Sequence, residues 1–449
     1  MTTTNPAPRM GRVAAAAFAG TTIEFYDFFI FGTATALVFG NVFFAELGGG
    51  RGTLALGATF AVAFVARPIG SILFGHIGDR LGRKRTLIYT LLLMGLSTFA
   101  IGLIPSYASI GMAAPIILVA LRFLQGLAVG GEWAGAALLT AEYAPPKRRG
   151  LYGMFPQLGP GVAFALSAAT FLAVFKITGD PTKSSDFQTW GWRIPFLASI
   201  LLVGVGLYVR LRIEETPVFR DVLDRAAPPR VPVRDALAAQ WRRILLTGGA
   251  LTALFGFFYI GSVFVTGYAG KNPKGVPPGT LGFATPTILT VTIFAASVFA
   301  ALCALAARLS DRFGRRRVML AGNLFGIGAG LAVFPVLDTR STAGLTVGIC
   351  LLLGMVGISY GPAAAYLPEM FDPRYRYTAA GLGYNLAGIL GGAIPIIFAA
   401  EILKAYNSFA IGIYLAGLAV LSTCCLLALP ETRDVDIAAP DRARELATV

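Results

Sequence analysis

Long apolar stretches separated by short polar breaks run along the whole chain. Twelve of them approach or exceed the roughly 20 residues that an α-helix needs to cross a bilayer. They are 12–39, 54–77, 86–104, 111–141, 150–175 and 192–211, then 244–268, 286–307, 318–337, 344–370, 379–400 and 409–429. The only extended polar break, 212–242, contains Pro217, Pro228, Pro229 and Pro232 and reads as a linker with room for one amphipathic helix. The pattern predicts an all-α integral membrane protein. It divides into a six-helix half over 1–211, a linker over 212–242, a second six-helix half over 243–432 and a tail over 433–449.

Composition agrees with this division. Of the 449 residues 56% are hydrophobic and 13% charged, whereas a soluble chain carries about 25% charged residues. The net charge of +14 would suit a nucleic-acid partner if the basic residues formed one patch. Instead they sit in alternate breaks, around Arg9 and Arg12, Arg80 to Arg85, Lys147 to Arg149, Arg210 to Arg243, Arg308 to Arg317, Arg374 and Arg376, and Arg433 to Arg444. That alternation follows the positive-inside rule and predicts both termini in the cytoplasm and no nucleic-acid partner. The first stretch holds Glu24 and Asp27 and lacks a small-residue cleavage site, so it reads as a retained span and not a signal peptide. Cys303, Cys350, Cys424 and Cys425 lie inside apolar stretches with no disulfide or metal spacing. No catalytic, metal or cofactor ligand set is expected, and no enzyme.

The two halves repeat one another. Gly78-Asp79-Arg80-Leu81-Gly82-Arg83-Lys84-Arg85 returns as Ser310-Asp311-Arg312-Phe313-Gly314-Arg315-Arg316-Arg317, about half the chain further on. Glu142 and Arg149 follow span four as Glu369 and Arg376 follow span ten, and Glu215-Thr216 follows span six as Glu431-Thr432 follows span twelve. Two parallel six-span repeats place a substrate site at mid-membrane between them. Ser310 in place of Gly78 questions the tightness of the second turn. Glycines at four-residue spacing, Gly126/Gly130, Gly131/Gly135, Gly326/Gly330 and Gly388/Gly392, allow close helix approach.

Three further stretches carry a resemblance: Thr22-Ile23-Glu24-Phe25-Tyr26-Asp27-Phe28, Phe64-Val65-Ala66-Arg67-Pro68-Ile69-Gly70, and Arg122-Phe123 followed by Gln125-Gly126 and Gly130-Gly131-Glu132-Trp133. With the loop motif they resemble the metabolite:H+ symporter family of the major facilitator superfamily, whose members include shikimate, α-ketoglutarate, citrate and proline/betaine carriers. The resemblance covers nearly the whole chain and implies a twelve-helix, proton-coupled importer of a small organic acid or zwitterion in the bacterial inner membrane, working by alternating access; a monomer is expected, though the sequence does not reveal the oligomeric state. It does not define the substrate. An antiporter, exporter or uncoupled facilitator is the alternative, and Gly159-Pro160-Gly161 faintly resembles an antiporter signature. A sensor or enzyme subunit would need a soluble domain, and a channel would need a pore loop.

An ionised group at mid-bilayer costs roughly 2.5–3.5 kcal/mol on insertion scales, so such residues are functional or paired. The first half has Glu24, Asp27, Arg67, Arg122 and Glu132 inside its spans. The second offers neutral Tyr259, Asn323, Tyr360, Tyr366, Tyr384 and Asn385. Charge coupling is therefore expected in the first half. Glu24 and Asp27 share a helix face. Two adjacent carboxylates in low dielectric resist double ionisation, which makes either a candidate coupling acid; the alternative is a static bridge to Arg67 or Arg122. Arg122, with Gln125 beside it, is expected to hold a substrate carboxylate in a bidentate fork or to pair permanently with an acid of span one. Tyr26, Arg67, Tyr360, Tyr384 and Asn385 complete the expected substrate-binding set. Only Arg67 could serve as a second cation, which favours a monocarboxylate or zwitterion over a dicarboxylate. Glu132 is expected to relay protons or, preferably, to pair with Arg67. His76, the only histidine, is expected at the membrane interface. Asp79, Arg83, Glu142, Arg149, Asp311, Arg315, Glu369 and Arg376 are expected to form charge networks that latch the outward-open state.

Overall fold

The computed structural model of the protein describes residues 10–44, 49–179, 184–212, 232–270 and 281–437. Most of the linker, including Glu215-Thr216, and the tail beyond Ile437 lie outside the described residues. Twelve long helices carry the described chain. In the first half they are α1 (Met10–Ala34), α2 (Gly49–Leu81), α3 (Arg83–Leu103), α4 (Ala113–Tyr143), α5 (Arg149–Thr178) and α6 (Arg193–Leu211). The second half has α7 (Pro232–Tyr259), α8 (Thr285–Phe313), α9 (Arg315–Leu337), α10 (Thr342–Met370), α11 (Arg376–Ala387) and α12 (Ser408–Leu427). Among the described residues, eleven helical segments are long and apolar enough to cross a membrane. The 33-residue α2, with Arg67 and Pro68 in its interior, supplies the length of a twelfth. Large apolar side chains such as Val65, Leu96, Ile116, Leu201, Phe294 and Leu324 are exposed on the bundle's outside while the charged residues of the spans are buried. That distribution suits a lipid surround.

The halves pack alike. In the first, α2 and α3 lie on α4, α3 on α6, and α1 on α5 and α6; in the second, α8 and α9 lie on α10, α9 on α12, and α7 on α11 and α12. Between halves, α5 meets α8 and α10, and α11 meets α2 and α4. Small residues set the closest crossings, as expected where lipid supplies no hydrophobic drive. A Cβ on Gly126 or Gly130 would meet the α2 carbonyls of Ala63 and Arg67 at 2.3 and 2.1 Å. The second half repeats this contact with Gly357 and Gly361 against the α8 carbonyls of Phe299 and Cys303, at 2.8 and 2.4 Å.

Three helices continue through π-helical turns: α1 at Thr35–Phe39, α7 at Ile260–Phe264 and α11 at Gly388–Ala393. Such wider turns occur mostly as local bulges, often at functional sites. The α2–α3 and α8–α9 turns are made by Gly82 and Gly314, at φ 103° and 102°, a region that side chains disfavour. The doubt raised by Ser310 is thereby removed, because the turn rests on the second glycine of each motif. Gly78 answers a different need: a Cβ there would lie 2.6 Å from the Tyr377 ring of the other half.

Candidate functional site

Glu24 and Asp27 of α1, Arg67 of α2, Met94 of α3, and Arg122 and Gln125 of α4 surround a cavity of about 10 Å³, close to the space one water requires. All four charged residues are at most 6% exposed. Arg122 lies nine residues into α4, about 14 Å along its axis. Its guanidinium donates to Gln125 Oε1 at 2.9 Å and stands 3.7 Å from the centroid of the Phe31 ring. Gln125 Nε2 donates to Thr98 Oγ1 at 2.6 Å, and Thr98 donates to Asp27 Oδ2 at 2.7 Å. A continuous hydrogen-bonded chain thus joins Arg122 to Asp27. Thr98 was absent from the expected site; its only sequence signal was a hydroxyl inside an apolar stretch. Glu24 Oε2, Asp27 Oδ1 and Arg67 Nε are buried without a hydrogen-bond partner among the described residues. Native interiors rarely leave such atoms unpaired, so they mark polar binding capacity.

The expected substrate residues do not all converge there. Arg67 Nη1 donates to Tyr259 of α7 at 2.9 Å, crossing between halves. Its guanidinium also lies 4.4 Å from the Phe64 ring centroid. Tyr360 and Tyr384 share a 3.1 Å hydroxyl contact beside a separate cavity of about 10 Å³ lined by Phe25, Pro160 and Phe258. Trp133 of α4 stacks on Tyr384 at 3.7 Å and donates to Gln157, which in turn donates to the Tyr360 carbonyl. Asn385 donates to Ser71 Oγ at 2.7 Å and to the Gly130 carbonyl at 3.1 Å, binding α11 to α2 and α4. Tyr26 points to Thr170 at 3.4 Å.

Glu132 does not pair with Arg67, as expected, but with Arg210 of α6; Thr90 also donates to it. Arg210 belongs to the basic cluster after span six, yet it is buried at 3% exposure. Gly20 of α1 makes the room, since a Cβ there would overlap the Arg210 guanidinium. Arg210 thus joins Glu24, Asp27, Arg67, Arg122 and Glu132 among the buried charged residues of the first half. His76 faces Arg80 at 3.2 Å near the end of α2.

The face bearing the loop motifs is sealed by contacts between halves. Asp79 accepts from Thr378 N and Oγ1 at 3.2 and 2.8 Å, at the start of α11. Asp311 accepts from Gly150 N and Leu151 N at 2.9 and 2.8 Å, at the start of α5. Each aspartate thus caps the positive end of a helix in the opposite half. Glu142 lies 3.3 Å from Arg83 and 3.7 Å from Arg376, and Glu369 lies 3.4 Å from Arg315 and 3.8 Å from Arg149. The glutamates therefore exchange the arginines that follow them in sequence: Glu142 takes Arg376 and Glu369 takes Arg149.

The segment after α12 joins this seal, which the sequence did not reveal. Glu431 accepts from Arg315 N and Arg316 N at 2.8 and 3.1 Å, and Thr432 donates to Glu369 at 2.7 Å. Arg149 donates to the Val435 carbonyl at 2.7 Å and Arg376 to the Ile437 carbonyl at 2.5 Å. One strand of tail is thus held by an arginine from each half.

Two pseudo-symmetric six-helix halves, closed on one face around a buried charge cluster, define a membrane transporter. The chain belongs to the Major Facilitator Superfamily, whose family model matches residues 17–395 and 274–445. It is 41% identical to the inner membrane metabolite transport protein YhjE of Escherichia coli, over 95% of this chain and 96% of that one. It is 36% identical to the shikimate transporter of the same organism, over 95% of each chain. It is also 30% identical to the proline/betaine transporter of Salmonella typhimurium, over 94% of this chain and 84% of that one. Among solved structures, the proton:xylose symporter XylE bound to 6-bromo-6-deoxy-D-glucose superposes with a TM-score of 0.75 at 19% identity, over 96% of this chain and 98% of that one. The protein is a multi-pass transporter of small molecules and not an enzyme.

Proposed function

We propose that this transporter is a proton-coupled symporter that imports a small organic acid or zwitterion across the bacterial inner membrane. In this reading the loop-motif face and both termini are cytoplasmic, the protein acts as a monomer, and the halves at 1–211 and 243–432 rock about the linker at 212–242. The observation that carries the reading is the meeting of Glu24, Asp27, Arg67 and Arg122 around one water-sized cavity. Asp27, wired through Thr98 and Gln125 to Arg122, is the preferred coupling acid, with Glu24 beside it. A substrate carboxylate arriving at Arg122 competes with that chain for the guanidinium, and a proton on Asp27 frees the chain to rearrange. Glu132, ion-paired to Arg210 within the first half, serves more as an internal brace than as a proton carrier. Burying mutually satisfied charges in this way lets one half move as a body. The relatives named for metabolites, shikimate and proline/betaine support a substrate of this size and polarity. A membrane potential contributes about 2.3 kcal/mol per charge per 100 mV, so one co-transported proton drives useful accumulation when the net moved charge is positive.

The test is uptake of labelled shikimate, α-ketoglutarate, citrate, proline and betaine into proteoliposomes, with and without an inward proton gradient. Protonophore-sensitive, gradient-dependent accumulation of one compound is the expected result. Equal uptake in both conditions would make the protein a facilitator or exchanger and would remove the coupling role from Asp27 and Glu24.

A further inference from the structure

Two cavities lie one behind the other between the helices, and their chemistry differs. The inner one is the charged space among Glu24, Asp27, Arg67 and Arg122. The other lies further along α1, away from the loop-motif face, between α1, α5, α8 and the π-helical turn after α7. Its volume is about 120 Å³. A single water needs only about 10–15 Å³ of such space, so this chamber admits a compact metabolite. None of its lining residues is ionisable; Thr33, Thr35, Ser167, Ser262, Thr266 and Thr292 stand among apolar neighbours, with the Ser262 and Thr266 hydroxyls donating to the Phe258 and Ser262 carbonyls. Ser167 is 1% exposed, and its Oγ has no hydrogen-bond partner among the described residues. A buried hydroxyl left unpaired is costly, and a ligand atom that accepts from it removes that cost.

Phe28 lines both cavities. Its ring meets the Tyr259 ring from the other half at 5.3 Å and 66°, and the Phe29 ring at 5.6 Å and 75°. On the inner side the Arg67 guanidinium is 5.9 Å from its centroid. One edge-to-face pair between halves therefore holds the partition in place. The two helices that carry Phe28 and Tyr259 both pass into π turns just beyond these residues, at Thr35–Phe39 and Ile260–Phe264.

We propose that the outer cavity is a first binding chamber for a small polar metabolite, and that Phe28 is the gate between it and the charged inner chamber. The proposal rests on reading the chain as a carrier of such a compound. With no cation in its walls, the outer chamber recognises hydrogen-bond acceptors and shape, and it leaves a substrate carboxylate uncompensated. That charge is met only past Phe28, by Arg67 and Arg122. Selection thus occurs twice: by hydroxyl contacts with Ser167 first, and by charge second.

The experiment uses the full chain in proteoliposomes with Cys303, Cys350, Cys424 and Cys425 replaced by alanine. Ser167→Cys reports the outer chamber and Met94→Cys the inner one. Labelling with 2-sulfonatoethyl methanethiosulfonate is followed from the face opposite the Gly78–Arg85 loop. Ser167→Cys is expected to react faster than Met94→Cys, because it borders the larger cavity on the labelled side. Phe28→Ala should raise the Met94→Cys rate about tenfold, the scale of one lost aromatic pair, and leave the Ser167→Cys rate unchanged. The compound accumulated in the uptake panel should slow Ser167→Cys labelling. Phe28→Leu, which keeps apolar bulk, should fall between wild type and Phe28→Ala and guards against misfolding. Equal rates at the two cysteines with Phe28 intact, an unreactive Ser167→Cys, or no protection by the transported compound would overturn the proposal. Labelling itself requires no transport, so failure of the gate and failure of the carrier reading give different results.

Discussion

Thr98 of α3 donates a 2.7 Å hydrogen bond to the Asp27 carboxylate of α1 while accepting one of 2.6 Å from Gln125. With Gln125 it links the Arg122 end of the cluster to the Asp27 end. Replacing it by valine keeps the branched shape and removes the connection. A hydrogen bond to a charged group contributes about 1.5–3 kcal/mol. Thr98→Val is therefore expected to lower the gradient-driven accumulation ratio about tenfold or more while substrate exchange persists. Asp27→Asn should abolish gradient-driven accumulation and also spare exchange. Accumulation and counterflow assays on the same vesicles separate the two effects.

Arg122 should not tolerate lysine. Its guanidinium is fixed by Gln125 at 2.9 Å and by the Phe31 ring, and an ammonium reproduces neither the planar fork nor the stacking. Arg122→Lys is expected to raise KM for a carboxylate substrate by about tenfold or more. Uptake kinetics with near-normal KM would sink the fork assignment.

The Glu132–Arg210 pair is a stability element. Removing one partner leaves a buried charge alone, at a cost of about 3–5 kcal/mol. Glu132→Gln and Arg210→Met should each lower the thermal unfolding midpoint in detergent. The double replacement Glu132→Leu with Arg210→Met should recover most of that loss. A double variant as unstable as the sum of the singles would mean that the two groups do not act as a pair.

Asp79 and Asp311 cap α11 and α5 of the opposite halves, so they bias the closed state of the loop-motif face without touching the charge cluster. An anionic cap at a helix start contributes about 0.3–2 kcal/mol. Asp79→Asn and Asp311→Asn should each shift the population toward opening of that face by up to about thirtyfold. Substrate preference should be unchanged. Cysteine accessibility from the loop-motif side and competition profiles measure the two properties on one sample.

The tail adds an asymmetric clasp to this near-symmetric seal. Truncation after Pro430 removes Glu431, Thr432 and the Val435 and Ile437 carbonyls that Arg149 and Arg376 hold. The truncated protein should still assemble, because the residues removed all follow α12 and every long helix is kept. Its loop-motif face should open more readily, and Arg149→Ala should add little to the effect. A truncated protein with wild-type accessibility would show that the glutamate–arginine pairs seal the face unaided.

Much of this architecture was legible in one sequence because its causes are local or repetitive. Apolar length fixes spans, alternating basic breaks imply an orientation, and the duplicated loop motif reveals two halves. Gly126 and Gly130 announced a close helix crossing, and the α4–α2 contact is where it occurs. Buried charge is also visible without coordinates, so Glu24, Asp27, Arg67 and Arg122 could be grouped. Their partners could not be named, because ion pairing depends on which helix faces lie together. Arg210 looked like one more basic residue at a span end until Gly20 was seen to leave space for it beside Glu132. Glu142 and Glu369 each have an arginine close behind in sequence, yet each pairs with the arginine of the opposite half, where the helices abut. Thr98 is chemically unremarkable until α3 brings it between Gln125 and Asp27. Length, repeat and buried charge were properties of the chain; the exchange of partners between halves, the seat of the tail and the division of the cavity by Phe28 arise from contacts between residues far apart in sequence, which only the packed helices decide.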